Sequence, residues 1–347
     1  MLPKIDTTEM IEFLTRLLNT PSPTGFTEQA IDLCEDALQG IPGIHLQRTR
    51  KGALVATLPG ATDGPWRALT AHVDTLGAMV KEIKSNGRLK MTKLGGYPWN
   101  TVEGEGVRVY TASGETVRGS ILLTKASVHV HGQDVGKTER NDDTMEVRLD
   151  ARTESAEETR DLGIEVGDFV VFDPRVEVTD GFVRSRHLDD KACVACMIQA
   201  VKTLSEVGLT PKVSTVLHVS NYEEVGHGAA AGIPAEVSEL ISVDMAAVGN
   251  GQASDEFHAT LCVKDSGGPY HYRLNQKMRR LAEDYEIPHK IDIYPYYGSD
   301  GEAFWRAGGD VAVSLIGPGV DASHNYERTH SEALEATTLW CLAFLLD

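Results

Sequence analysis

The stretch Val213-Ser214-Thr215-Val216-Leu217-His218-Val219-Ser220-Asn221-Tyr222-Glu223-Glu224-Val225-Gly226 decides the fold. Its first half is an apolar run of strand length, and its second half is a polar turn that ends on glycine. A strand that delivers polar residues at its carboxyl end belongs to an open α/β sheet, whose sites form along that edge. Adjacent side chains on extended backbone point in opposite directions. Glu223 and Glu224 can therefore divide the work, one binding a metal and the other facing a reacting water. A Glu-Glu pair alone is more often a solvated turn, so the weight rests on what else the chain brings to the same edge.

Working outward, strand candidates recur at 53–58, 67–71, 240–243, 259–263, 290–293 and 311–315. Amphipathic spacing predicts a helix over 7–18 with Thr7 or Thr8 as cap, and a second one turning Ala30, Ile31, Cys34, Ala37 and Leu38 inward. Further helices are expected from Leu188-Asp189-Asp190-Lys191 onward, over 272–285, around 302–306 and over 331–346. This is an α/β protein with a central mixed sheet flanked by helices. Between 78 and 184 the texture changes to short alternating runs separated by glycine turns, with helix signal only at 155–162. The expected organisation is a discontinuous catalytic α/β domain, 1–77 with 185–347, and an inserted small β-rich, barrel-like domain, 78–184. His129 and His131 alternate there as if on one strand face.

The chain has 347 residues, 41% hydrophobic and 24% charged, which suits a globular fold with a substantial core. A formal net charge of −18 argues against the nucleic-acid backbone and against anionic membrane surfaces as partners. No apolar run approaches the roughly 20 residues of a membrane-spanning helix. Residues 1–6 lack the apolar core of a secretion signal, so nothing there marks the chain for export. Five scattered cysteines, an odd number, fit a reducing cytoplasm better than a disulfide framework. Cys193 and Cys196 form a C-x-x-C without a second pair, inside a helix, which reads as core packing.

Residues of metal-binding type follow the predicted strands: His72 after 67–71, Glu223 and Glu224 after Val219, and Asp244 after 240–243. Asp189 and Asp190 open one helix, and His330 precedes the last. Mixed nitrogen and oxygen ligands suit zinc, cobalt or manganese. A carboxylate shared by two such ions holds them about 3.5–4 Å apart, so a two-metal hydrolase follows.

The ordered set His72-Val73-Asp74, Leu188-Asp189-Asp190-Lys191, Glu223-Glu224-Val225-Gly226, Ser242-Val243-Asp244 and Arg328-Thr329-His330-Ser331 resembles the dinuclear aminopeptidases of the glutamyl aminopeptidase and tetrahedral (TET) aminopeptidase family. The likeness extends into the β-rich segment, through Gly95-Gly96-Tyr97, the turn from Gly104 to Val109, and the stretch from Leu162 to Asp168.

The resemblance implies His72, Asp189 and Asp244 around one ion, with Asp189, Glu224 and His330 around the other, Asp189 bridging. The first aspartate of the pair is chosen because the family uses it, commonly followed by a cis peptide bond. Asp74 is then the carboxylate that holds the His72 ring in its binding tautomer, and Glu223 the acid/base. The implied chemistry is amide hydrolysis. Two cations acidify a shared water, Glu223 takes its proton, and the proton returns to the leaving amine. His324 is a rival for the last ligand position. His330 is preferred because the family's ligand is a His-Ser pair ahead of the final helix. Asp300, in Gly298-Ser299-Asp300-Gly301, matches a family loop near the site, and a helix cap is an equally good reading.

The expected substrate is a short peptide or small amide, and the expected assembly a dimer or dodecamer with contacts through the β-rich domain. Several residues depart from the family pattern: Cys193 in place of glycine, Lys191 in place of arginine, and His227 after Glu-Glu-Val-Gly. They keep open a related deacylase or amidohydrolase acting on a small acylated or amidated amino acid or dipeptide. Two adjacent glutamates that point apart are poorly placed to flank a glycosidic bond at the roughly 5–9.5 Å that glycosidases use, which disfavours a glucanase. A non-enzymatic binding protein with the same fold is the remaining alternative.

Overall fold

The apolar run before Glu223 forms a strand from Thr215 to Ser220, buried at every position. Burial on both faces is what a parallel strand between helices requires, and it accounts for an apolar run without polar alternation. The structure, a computed structural model, describes residues 1–347. In chain order the elements are α1 (Thr7–Asn19), α2 (Glu28–Leu38), β1 (His45–Arg48), β2 (Leu54–Leu58) and β3 (Trp66–His72). Then follow β4 (Gly77–Ile83), β5 (Leu89–Leu94), β6 (Gly106–Tyr110), β7 (Thr116–Leu123), α3 (Val128–His131), α4 (Asp134–Lys137), β8 (Met145–Leu149), α5 (Ala156–Arg160) and β9 (Phe169–Phe172). The chain continues with β10 (Glu177–Thr179), β11 (Phe182–Ser185), α6 (Leu188–Glu206), β12 (Thr215–Ser220), β13 (Val237–Val243), β14 (Ala246–Ala247), β15 (Ala259–Asp265) and β16 (Gly268–Pro269). Last come α7 (Tyr272–Asp284), β17 (His289–Ile293), α8 (Asp300–Arg306), β18 (Ala312–Val320), β19 (Glu327–His330) and α9 (Ser331–Leu346).

One compact unit comprises Met1–Thr75 and Arg175–Asp347. Its ten-stranded sheet runs β1-β2-β12-β3-β13-β18-β15-β16, with β14 on β18 and β17 on β15. β12, β3, β13 and β18 are parallel neighbours, while β1, β2 and β15 join antiparallel, so the sheet is mixed. The register sets Ser220 opposite His72, with β13 ending alongside at Val243. Three neighbouring chains therefore leave the sheet at the same edge.

Helix α6 is buried at nearly every position and packs on α1, α9 and β3. Enclosure on all sides explains why its sequence is apolar around the whole circumference, including Cys193 and Cys196, both free and buried. Helix α1 is capped by Asp6 rather than Thr7 or Thr8. The Asp6 carboxylate accepts the Glu9 N–H at 2.9 Å.

The other unit, Leu76–Pro174, is a closed barrel in the order β4-β5-β8-β7-β6-β9. Val80, Met91, Val107, Val109, Ile121, Val147 and Val170 fill its interior. His129 and His131 lie on the short helix α3, not on a strand; the valines between which they alternate, Val128 and Val130, are exposed, so no sheet face holds that segment extended. The chain leaves this unit at Pro174, earlier than the expected 184. The cause is that β10 and β11 form a three-stranded sheet with β19 of the α/β unit.

Candidate metal centre

His72 ends β3, and its ring Nδ1 lies 2.9 Å from the Asp74 carbonyl oxygen. A carbonyl only accepts, so Nδ1 carries the proton and Nε2 offers its lone pair. That Nε2 faces Asp189 Oδ1 at 3.3 Å and Glu223 Oε2 at 3.6 Å. The tautomer expected of Asp74 is thus fixed mainly through its main-chain carbonyl. Its fully buried carboxylate does something further: it accepts the N–H of Glu223 at 3.1 Å, the N–H of Glu224 at 3.3 Å and the Thr24 hydroxyl at 2.7 Å. The turn that carries both glutamates hangs on Asp74.

Asp189 stands at the opening of α6, joined to Asp190 by a cis peptide bond. Its two carboxylate oxygens face two different histidines, Oδ1 toward His72 and Oδ2 toward His324 Nε2 at 3.4 Å. His324 Nε2 also lies 3.5 Å from Glu224 Oε2. Glu327 braces this half of the cluster, one oxygen accepting the Asp189 N–H at 3.1 Å and the other the His324 N–H at 2.9 Å.

His330 does not join the cluster, which corrects the sequence-based choice of last ligand. Its Nδ1 caps α9 by accepting the Glu332 N–H, its Nε2 lies 3.3 Å from the Asp180 carbonyl, and its ring packs between Phe182 and Phe257. The reason is local: His330 closes β19, whose register with β11 places it opposite Phe182, while the loop before that strand carries His324 inward.

Asp244 follows β13 and is buried beside the others. One ligand atom each from His72, Asp190 and Asp244 falls within 4.8 Å of the rest. Asp190 is the weaker bridge of the aspartate pair, because its Oδ2 already accepts the His72 main-chain N–H at 3.1 Å. Asp300 opens α8 and accepts the Ala229 N–H at 2.7 Å, closing the far side of the glutamate turn. Its carboxylate fills the space a side chain at Gly228 would need: a Cβ there would stand 2.1 Å from Asp300 Oδ1.

Burial dominates the electrostatics. It pushes Asp244 up to about 7, reinforced by the Asp189 charge, and Glu224 and Glu327 up to about 8. Burial would raise Asp189 too, but hydrogen bonds to His324 and His72 hold it below the usual carboxylate range. Glu224 Oε1 is buried with no hydrogen-bond partner. An orphaned carboxylate oxygen among converging carboxylates and imidazole lone pairs is a donor set suited to divalent cations, so the residues fit metal ions.

The family described as M42 glutamyl aminopeptidase matches residues 52–339. This chain belongs to that M42 family. Membership makes it a metallo-aminopeptidase, a hydrolase that works with divalent metal ions. The putative aminopeptidase YhfE of Bacillus subtilis (strain 168) is 49% identical to this M42 chain over 328 residues, 94% of either protein. The lysyl aminopeptidase of Pyrococcus furiosus is 25% identical over 292 residues, 82% of this chain and 81% of that protein. Among solved structures, an aminopeptidase of the archaeon Desulfurococcus kamchatkensis shares the fold with a TM-score of 0.87 at 22% identity, covering 98% of this chain and 95% of that one. The TET1 peptidase of Pyrococcus horikoshii, described as assembling into a tetrahedron or a large octahedral shell, matches with a TM-score of 0.85 at 23% identity over 97% and 99% of the two chains.

Two contributors to the site in this M42 chain escaped sequence reasoning. Glu327 lies within the stretch between the two candidate histidines, but its bond to Asp189 joins positions 138 apart. Thr24 lies in the Pro21–Gly25 turn that reads only as a helix break, yet it supports Asp74.

Proposed function

We propose that this M42 peptidase releases N-terminal residues from short peptides at a centre of two divalent ions, zinc or cobalt, with manganese also suited. His72, Asp189 and Asp244 would hold one ion, and Asp189, Glu224 and His324 the other. The observation that carries this reading is the placement of the two Asp189 oxygens, one before each histidine Nε2. Bound there, divalent ions would supply Lewis acidity, polarising a substrate carbonyl and lowering the pKa of water.

Glu223 lies beside this arrangement with Oε2 3.6 Å from His72 Nε2. In the proposed reaction Glu223 takes a proton from the attacking water and returns it to the departing amine. Asp74 keeps the Glu223 main chain in place while it does so. No helix is long and apolar enough to cross a membrane. A cytoplasmic setting is part of the proposal, supported by five free buried cysteines. So is assembly into a dimer or dodecamer, supported by the shells described for the TET1 peptidase.

The test is hydrolysis of aminoacyl amides and short peptides, run against acylated amino acids, before and after chelation. Cleavage from the free amino terminus, lost on chelation and restored by cobalt or zinc, is the expected result. Preference for acylated amino acids would transfer the same centre to a deacylase, and cleavage indifferent to chelation would remove the metal reading.

A further inference from the structure

The segment Asn221–Gly228 carries both Glu223 and Glu224, and a single residue outside it holds both of its ends. At the leading end, the Asn221 side-chain amide donates to the Lys51 main-chain carbonyl at 2.8 Å. At the trailing end, the Lys51 ammonium donates to the carbonyl of His227, and to that of Gly228 at 2.8 Å. The same nitrogen lies 3.4 Å from His227 Nδ1 and 5.5 Å from the centre of the Tyr222 ring, which stacks on His227 at 5.3 Å and 20°. An ammonium has three donors and no acceptor, so two carbonyls and an imidazole nitrogen can occupy all of them.

Between these ends the backbone makes two left-handed turns, at Tyr222 (φ 66°) and Gly226 (φ 86°). A short 3-10 turn closes it internally, with the Gly226 N–H on the Glu223 carbonyl at 2.7 Å and the His227 N–H on the Tyr222 carbonyl at 3.2 Å, and side-chain tethers fix that turn to the rest of the molecule. Asp74 supplies two from below, at Glu223 and Glu224, and Asp300 supplies one just beyond, at Ala229. Asp300 and Asp74 also act on Lys51: burial lowers its pKa, and their charges work against that, as favours a charged ammonium. Histidine at 227 stands out in sequence as a departure from the family pattern, whereas lysine at 51 does not. Their meaning comes from being brought together across 176 positions.

We propose that Lys51 is a positioning residue for hydrolysis, clamping the Asn221–Gly228 segment so that Glu223 and Glu224 stay at their working places. This rests on the reading of Glu223 as acid/base. The Lys51 ammonium meets the main chain of His227 and Gly228, and it acts through that main chain. Loss of the clamp leaves substrate contacts intact and loosens the base, which lowers kcat and leaves KM nearly unchanged.

The experiment uses the metal-loaded full chain, with Lys51→Met to remove the ammonium at similar length and Lys51→Arg to restore a donor. Steady-state kinetics are read on an aminoacyl amide alongside backbone amide exchange across 221–228. Lys51→Met is expected to lose about 10-fold or more in kcat with KM within about 2-fold, in the range seen for residues that orient catalytic groups. Exchange in 221–228 should accelerate while the rest of the sheet keeps its protection, and Lys51→Arg should recover part of both losses. In a Glu223→Gln background Lys51→Met should cost less in kcat than in the parent, because the base being positioned is gone and only the hold on Glu224 remains to be lost. Unchanged exchange, or unchanged kcat in Lys51→Met, would overturn the proposal. So would an equal loss in both variants accompanied by a general fall in protection. Near-normal turnover of Glu223→Gln alone would fault the base assignment instead, and the exchange rates would still decide whether Lys51 clamps the loop.

Discussion

His324 Nε2 lies 3.4 Å from Asp189 Oδ2, a contact between a loop near the end of the chain and the first turn of the central helix. The opposite oxygen of the same carboxylate meets His72. Asp189 is therefore placed to be shared, and the cluster divides around it into a His72–Asp244 side and a His324–Glu224 side. Glu327 holds Asp189 and His324 by their main chains, which fixes their spacing independently of any ligand.

Glu223 is assigned proton transfer, whereas Glu224 is assigned to metal. Glu223→Gln keeps the size and most hydrogen bonding of the side chain but cannot accept a proton. It should retain the metal complement of the parent and lose turnover by about 100-fold or more, the scale of general acid–base catalysis. Metal analysis and kcat on the same preparation check this, and near-normal turnover in a metal-replete variant would sink the assignment.

Asp74 accepts three hydrogen bonds, from Glu223 N, Glu224 N and Thr24 Oγ1. Asp74→Asn replaces one acceptor oxygen by a donor that faces donors. Activity should fall about 10- to 100-fold, with weaker metal retention, as for other residues that orient ligands. Measured kcat and the chelator concentration needed for half-inactivation report the two effects separately.

His218 sits in the middle of β12 with Nδ1 3.0 Å from the Thr70 hydroxyl and Nε2 buried without a partner. Burial, with a smaller push from Lys51, lowers it from its ordinary 6.5 to about 4. The unfolded chain binds this proton where the folded chain does not, so stability from a neutral His218 is complete above pH 6.5. It declines as the pH falls toward 4 and changes no further below that. The full shift corresponds to about 3 kcal/mol. Unfolding of the protein and of His218→Gln by urea, compared between pH 7 and pH 4, should show the gap between them narrowing by an amount of that order. Parallel pH curves would show that His218 is not the group involved.

Much of the site was legible because strand ends are legible. His72, Glu223, Glu224 and Asp244 each follow an apolar run, and three adjacent parallel strands bring those ends to one edge. The aspartate pair was readable as a helix opening. His324 was legible only as a rival, because preferring the His-Ser pair ahead of the last helix overlooks the four-residue strand β19, which turns His330 toward Phe182. The same strand explains the domain boundary: β10 and β11 look like the β-rich segment before them, but their hydrogen bonds go to β19. Glu327, Thr24 and Lys51 act through bonds to main-chain or carboxylate groups far along the chain, and no local pattern announces such bonds.

The most direct test of the central claim is the number of metal ions per chain, measured by elemental analysis in the parent, His324→Ala and His330→Ala after equilibration with excess zinc and removal of the unbound metal. The arrangement around Asp189 predicts two ions in the parent, one in His324→Ala, and two in His330→Ala. Two ions retained by His324→Ala, with one lost from His330→Ala, would contradict it.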